Sequence, residues 1–296
     1  MSASITERAA PGIAATKPEV DRQARWRDLG RSAELWIPAG FLLLLLLACF
    51  LGPIVFRAPS PVQGNIANID LSMFSKGHLL GTDPDGYDEM SRLLYGGRVS
   101  LEVGFGSVFI GLVLGGTLGA LAGLKRGAIE SLIMRFLDML LAFPALILAI
   151  TISSYFGQSE LHVIFAIGLV FTAGFSRIAR AQTLRYREQP FLHAARLCGT
   201  SDRRILLRHI APNILPNLLT FAVLLVGVGI GLEATLSFLG AGVPPPGPSW
   251  GNMITLGEAY LGQAPRIVVI PSIALLLTIT SLNLLSDALR SRWASG

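Results

Sequence analysis

Five stretches of this chain run without Lys, Arg, Asp or Glu for long enough to cross a bilayer: Ile37 to Phe56, Val103 to Leu124, Met139 to Ser159, Ile210 to Leu232 and Ile267 to Ser286. About 20 helical residues span the ~30 Å of a hydrocarbon core. A sixth, shorter run, Leu161 to Ser176, has His162 as its one titratable residue and is divided from its predecessor by Glu160, so it counts as a separate span. The expectation is an all-α membrane protein with six transmembrane helices. Composition agrees: with 52% hydrophobic and 15% charged residues and a mean hydropathy of +0.58, the chain has too little charge to solvate a globular surface of its size.

The basic residues set an orientation. With a cytoplasmic amino terminus, residues 1–36, 125–135, 177–212 and 290–296 lie inside and hold 6, 3, 8 and 2 Lys and Arg, 19 of the 24. Arg57, Lys76, Arg92 and Arg98 share one long outer loop, and Arg266 precedes the last span. The positive-inside rule therefore predicts that both termini are cytoplasmic. The pI near 9.6 is accounted for by this topology and calls for no nucleic-acid partner. The long polar lead-in, the apolar run that continues past Cys49 and the later spans argue against a cleaved signal peptide. Cys49 falls in the first span and Cys198 in a cytoplasmic loop, so free thiols are expected.

Small residues recur at intervals of four along the second span: Ser107, Gly111, Gly115, Gly119 and Gly123. Such a ladder leaves a smooth helix face that another backbone can approach closely, whether in this chain or another. Gly227 and Gly231 repeat the spacing in the fifth span. Ionisable residues in or beside the spans are few: Glu102, Arg135, Asp138, His162, Glu233 and Asp287. A charge near the bilayer centre costs roughly 2.5 to 3.5 kcal/mol on insertion scales and asks for a partner or a watery cavity. Glu233, and after it Asp138, is the position where that demand is sharpest.

Catalytic chemistry finds little support. No phosphate-binding Gly-x-x-x-x-Gly-Lys-Ser/Thr loop occurs, and Gly227-x-Gly229-x-Gly231 lies inside an apolar run with no strand before it. The histidines at 78, 162, 193 and 209 fit no metal-ligand spacing, so neither a metal nor a cofactor is expected in this chain.

The most distinctive segment is Phe191 to Asn213, FLHAARLCGTSDRRILLRHIAPN, polar and basic between apolar runs. Pro190 can open a helix, since its missing N–H is not needed in the first turn. Gly199 then supplies a stop, and Thr200, Ser201 and Asp202 a fresh amino-terminal cap. His193-Ala194-Ala195, Gly199 and Arg208-His209-Ile210-Ala211-Pro212-Asn213 resemble the cytoplasmic EAA loop of bacterial ATP-binding-cassette importer permeases of the dipeptide, oligopeptide and nickel branch. Three further segments resemble the C-type subunit of that branch. These are Leu80-Gly81-Thr82-Asp83 through Asp88, Arg92 and Leu101; Glu233 to Gly240 with Pro248-Ser249-Trp250-Gly251; and Asn283 to Arg290, which includes Asp287. They cover most of residues 79 to 290, in order. Two departures stand out: His193 occupies the place of the usual glutamate, and Tyr87 that of the usual arginine in the outer loop.

The resemblance implies a type I ABC importer permease fold. It would comprise a cytoplasmic tail over 1–36, a first transmembrane helix over 37–56, an extracytoplasmic loop over 57–98 and a permease core over 99–290. A coupling loop at about 180–212 and a carboxy-terminal tail over 291–296 complete it. The implied location is the bacterial inner membrane. The implied partners are a homologous permease chain, two ATPase subunits or one fused ATPase that bind ATP and magnesium, and an extracytoplasmic solute-binding protein. Short peptides are the implied cargo, with nickel, glutathione or another small chelate as alternatives. His193, Ala194, Ala195, Gly199, Asp202, Arg208 and Pro212 would contact the ATPase. A reading from another class, a membrane scaffold that binds a cytoplasmic partner, lacks the ordered motifs.

Overall fold

The computed structural model describes residues 22–294, with side chains from 34 to 292. Ten α-helices follow in order: α1 (Arg22–Val55), α2 (Glu89–Lys125), α3 (Gly127–Ala142), α4 (Ala145–Phe156), α5 (Glu160–Arg187), α6 (Pro190–Leu197), α7 (Asp202–Ile205), α8 (Ala211–Phe238), α9 (Trp250–Gly257) and α10 (Arg266–Ala294). Five helical segments are long and apolar enough to span a membrane: Glu34–Val55, Glu89–Lys125, Glu160–Arg187, Asp202–Phe238 and Arg266–Arg292.

The run expected to be the third span, Met139 to Ser159, is broken in the structure. α3 and α4 meet at 89°, and only together do they make a sixth span. Phe143 is extended (φ −87°, ψ 135°) and Pro144 caps α4. A residue before proline is pushed out of the helical region by the ring, which ends α3 there. Of the expected amino-terminal tail, residues 1–21 lie outside the described residues. From Arg22 the backbone is already α1, ahead of the apolar run, in a segment whose Arg, Gln, Ala and Leu favour helix. At the other end α10 runs on to Ala294, and residues 295–296 lie outside the described residues.

α2 and α5 share the largest interface of the fold, and the small-residue ladder is the reason. A Cβ placed on Gly115 would overlap the Thr172 carbonyl oxygen, and one on Gly119 the carbonyl oxygen of Ser176. At Gly111 it would sit 2.7 Å from the Phe171 Cβ, and at Gly123 2.8 Å from the Thr183 Cβ. α5 returns the contact at Gly168, where a Cβ would meet the Ile110 Cβ at 2.8 Å. The groove left open by the sequence is thus filled by a helix of the same chain.

Gly227 and Gly231 behave differently. Added Cβ atoms there would meet α10 side chains at 3.6 Å or more, an ordinary contact. The close approach on α8 falls between them instead, at Gly229, where a Cβ would lie 3.4 Å from the Gly104 Cα.

Because backbone atoms rather than flexible side-chain ends oppose Gly115 and Gly119, even alanine demands that the helices separate. Gly115→Ala or Gly119→Ala should cost about 1 to 3 kcal/mol and lower the melting temperature of the purified protein in detergent. Gly116→Ala, one residue round the helix and facing only Leu218 at 3.7 Å, should leave it unchanged.

Candidate functional site

Two groups of the residues singled out by sequence lie at the two ends of α2. Near its carboxy-terminal end lies the 190–212 segment. α6 begins at Pro190 and is capped by Cys198, and the following Gly199 takes φ +75°, a conformation that ends the helix without strain only for glycine. Ser201 precedes α7, but its hydroxyl makes no cap hydrogen bond. The segment is anchored by Leu192, Ile205 and Ile210, all fully buried. His193, Ala194, Gly199, Asp202, Arg208 and Pro212 are exposed, while Ala195 is half-buried. Leu197, at 90% exposure, joins them on the surface.

One ion pair fastens this segment to α2, and a second ties the end of α2 to the end of α5 just before it. Lys125 Nζ lies 2.8 Å from Asp202 Oδ2, and Arg126 Nη1 3.8 Å from Glu188 Oε1. α7 then passes through a π turn, Leu206–Ile210, into α8. Pro212 offers no N–H to the carbonyl four residues back, and the wider turn gives its ring room. Asn213 donates its side-chain N–H to the His209 carbonyl, 2.5 Å away.

At the opposite end, the loop between α1 and α2 is built on side chains that bond backbone. Asp88 caps α2 by accepting from the Ser91 N–H at 2.7 Å, and its other oxygen lies 2.7 Å from His78 Nδ1. Asp83 accepts from the N–H groups of Asp85 and Tyr87 at 3.0 and 2.8 Å, with Arg92 Nη1 3.7 Å away. Burial nonetheless holds the Asp83 carboxyl above its ordinary range, against the lowering pull of Tyr87 N–H and Arg92. Gly81 and Gly86 have positive φ, and a Cβ on either would strike the backbone of Leu71 or Asn65. Tyr87, the unusual residue of this loop, holds the Arg92 guanidinium 4.7 Å from its ring centroid. Arg266, from the start of α10, donates to the Leu71 and Thr82 carbonyls at 3.1 and 3.0 Å.

Glu233 is fully buried on α8. It accepts from the hydroxyls of Ser100 on α2, at 3.0 Å, and Ser237 one turn on, at 2.8 Å. Ser100 Oγ in turn accepts from the Trp250 N–H at 3.2 Å, and the Trp250 indole N–H donates to the Leu93 carbonyl at 3.0 Å. Ser249 caps α9 through the Asn252 N–H. One carboxylate therefore ties α2, α8 and α9 together, with Trp250 pressed over Gly97, where a Cβ would lie 2.6 Å from the indole. Sequence reading singled out Glu233 and Trp250, whereas Ser100, Ser237 and Ser249 entered only as members of the motif segments, with no role assigned. The signal was there in part, because Ser237 stands one helical turn from a carboxylate that must find donors.

Asp138 and Asp287 join none of these clusters. Asp138 pairs with Arg177 at 2.8 Å, linking α3 to α5 on an exposed face. Asp287 and Arg290 line a cavity of about 570 Å³ between α5, α8 and α10, together with Gln182, Asn217 and Thr220. Both cysteines are free, Cys49 buried and Cys198 exposed.

Ser100→Ala removes a donor from buried Glu233 and the acceptor of the Trp250 N–H. Leaving such groups unsatisfied costs about 1 to 3 kcal/mol, so the variant should melt several degrees lower in detergent. Ser154→Ala, away from the cluster, should not.

A family model described as the binding-protein-dependent transport system inner membrane component matches residues 115–295. The chain is 36% identical over 287 residues to the glutathione transport system permease protein GsiD of Pectobacterium atrosepticum, a match that covers 93% of this chain and 94% of the relative. It is 38% identical over 266 residues to a putative peptide transport system permease protein of Brucella suis, covering 89% of this chain and 88% of that one. Among solved structures, the MetNI methionine ABC transporter in an inward-facing conformation superimposes with a TM-score of 0.55 at 18% identity, over 68% of this chain and 95% of that one, which supports the fold. The chain therefore belongs to the binding-protein-dependent transport system inner membrane component family and is a membrane-embedded permease subunit of an ABC importer, a class that works with ATPase and binding-protein partners.

Proposed function

We propose that this subunit forms half of a translocation pathway for short peptides, glutathione among them, and pairs with a homologous permease chain. Two ATPase subunits, separate or fused, bind ATP and magnesium and do the hydrolysis, and the chain itself is non-catalytic. The cargo class is supported by the peptide and glutathione transport systems of its relatives. Nickel or another small chelate is the lesser alternative.

The observation that carries the coupling assignment is the exposed α6 surface, held out between α5 and α8 on three buried aliphatic anchors. Its small face, Ala194 with Gly199 at the helix end, suits insertion into a groove of an ATPase, whose ATP-driven closure would rock the spans as rigid bodies. The orientation that puts α6 and both termini in the cytoplasm of a bacterial cell follows the basic residues. On that reading the 57–88 loop and α9 face outward, toward a solute-binding protein.

Ala194→Glu places an uncompensated charge and extra volume on the exposed face of α6. The variant should insert and pair with the second permease yet lose at least tenfold in ATP-driven peptide uptake or fail to retain the ATPases. Gln189→Glu, exposed just before the helix, should do little. Normal uptake and ATPase retention in Ala194→Glu would refute the assignment. Topology has its own check in a Cys198→Ser background: Gln63→Cys should react with an impermeant thiol reagent on intact cells, and Ser201→Cys only after permeabilisation. The reverse pattern would overturn the orientation.

A further inference from the structure

A second cavity, of about 260 Å³, lies between the 57–88 loop, the first turn of α2, α9 and the start of α10. Met253, Leu256 and Ile267 give it an apolar wall, and Asp83, Asp85 and Glu89 an acidic one. Arg92 is the one cationic side chain in its lining, and it is engaged with Asp83 at 3.7 Å and with the Tyr87 ring. Asp83 is further occupied by two backbone N–H groups. Glu89 is not. It is only 2% exposed, and among the described residues no donor hydrogen-bonds its carboxylate; Arg92 and Arg266 act on it electrostatically, but neither comes within ion-pair distance.

Buried carboxylates are ordinarily paired or hydrogen-bonded, so an unpartnered one facing a cavity marks a place for a cation. Among the described residues no three His, Cys, Asp or Glu side chains are grouped to hold a metal ion. An organic cation fits better, with its carbon stem along Met253 and Leu256 and its charged end at Glu89, as lysine and arginine arrange themselves at polar–apolar borders. The cavity is smaller than the roughly 300 to 1,000 Å³ typical of sites for whole ligands and matches a single side chain.

We propose that this cavity receives the ammonium or guanidinium end of a lysine or arginine side chain presented by the solute-binding protein, with Glu89 as its counter-ion. The inference rests on the reading above that the 57–88 loop faces the compartment from which solute is delivered. Glu89 would then be a docking determinant whose carboxylate has no direct donor in the free permease and gains one when the binding protein seats.

The experiment uses the complete importer in proteoliposomes: both permease chains, the ATPases and the binding protein. Glu89→Gln should raise the binding-protein concentration needed for half-maximal ATPase stimulation by about tenfold or more, as loss of one partner from a buried charge pair does. Its melting temperature should be equal to or above that of the wild type, because an unpaired buried charge has been removed. Leu256→Trp, which fills the cavity without touching the charge, should weaken docking in the same way. Glu258→Gln, an exposed neighbour outside the lining, should not. Glu89→Lys should abolish stimulation, and Lys→Glu or Arg→Glu at one position of the binding protein should restore it.

Unchanged stimulation in both Glu89→Gln and Leu256→Trp overturns the proposal. So does a lower melting temperature for Glu89→Gln with normal docking in Leu256→Trp, which assigns Glu89 a purely structural role. Free arginine that stabilises the wild-type permease pair but not Glu89→Gln, with docking unaffected in both variants, would overturn it in favour of a soluble cation. Absence of any stimulation by the binding protein in the wild type would instead refute the outward-facing reading on which the proposal stands.

Discussion

Direct backbone contact between α2 and α5 is the constraint on which the rest of the structure depends. Lipid tails are as apolar as the side chains they surround, so two helices in a bilayer gain little by merely burying Leu or Val against one another. They gain by approaching closely enough for dispersion contacts along whole turns of backbone. Gly111, Gly115, Gly119 and Gly123 permit that over about three turns, with Thr172 and Ser176 carbonyls lying where a Cβ would have been. On this pair α3 is tethered through Glu130 and Arg180, 2.5 Å apart, and α8 through Glu233 and Ser100. The polar links are few, and each stands where a hydroxyl or carboxylate would otherwise lack a partner.

The ladder was legible because its period is local, whereas the identity of its partner was not. α5 meets it with Gly168, Thr172 and Ser176, a face in which hydroxyl side chains disguise the same four-residue rhythm. Gly227 and Gly231 show the converse, for their spacing matches the ladder while α10 stays at ordinary contact distance. Proline was similarly ambiguous. Pro144 ends a helix, but Pro38, Pro53, Pro216 and Pro271 lie within continuous ones. The ring removes one N–H in every case, and whether the helix survives depends on neighbours that satisfy the freed carbonyl, which no single-sequence pattern records.

The limits of α6 followed from local chemistry, Pro190 at its start and Gly199 past its end, as did the isolation of Glu233 in an apolar run. What escaped were the partners far away in sequence. Asp202 finds Lys125 77 residues earlier, and Glu233 finds Ser100 133 residues earlier. Nothing in the composition around Lys125 or Ser100 distinguishes them from other residues at a helix end or in a span. Their roles arise only when the fold brings them to a buried or oppositely charged group. The acidic wall containing Glu89 was invisible for the same reason, since its burial is created by α9 and α10, elements more than 160 residues further along the chain.

α2 has one property that follows from its length. Its 37 residues contain no proline, and at 1.5 Å per residue they make a rod about 55 Å long, with Asp88 and its loop at one end and Lys125, gripping Asp202, at the other. A thrust delivered at Asp202 thus reaches the far loop with no joint between to absorb it. Since the glycine face is locked along α5, the rod cannot buckle or twist on its own account, and the two helices must tilt as one beam. Any change of shape that links the two surfaces of the membrane has to be accommodated at the seams around this beam, where α8 meets it through looser contacts with α10 packed behind, and where the chain turns at Pro144.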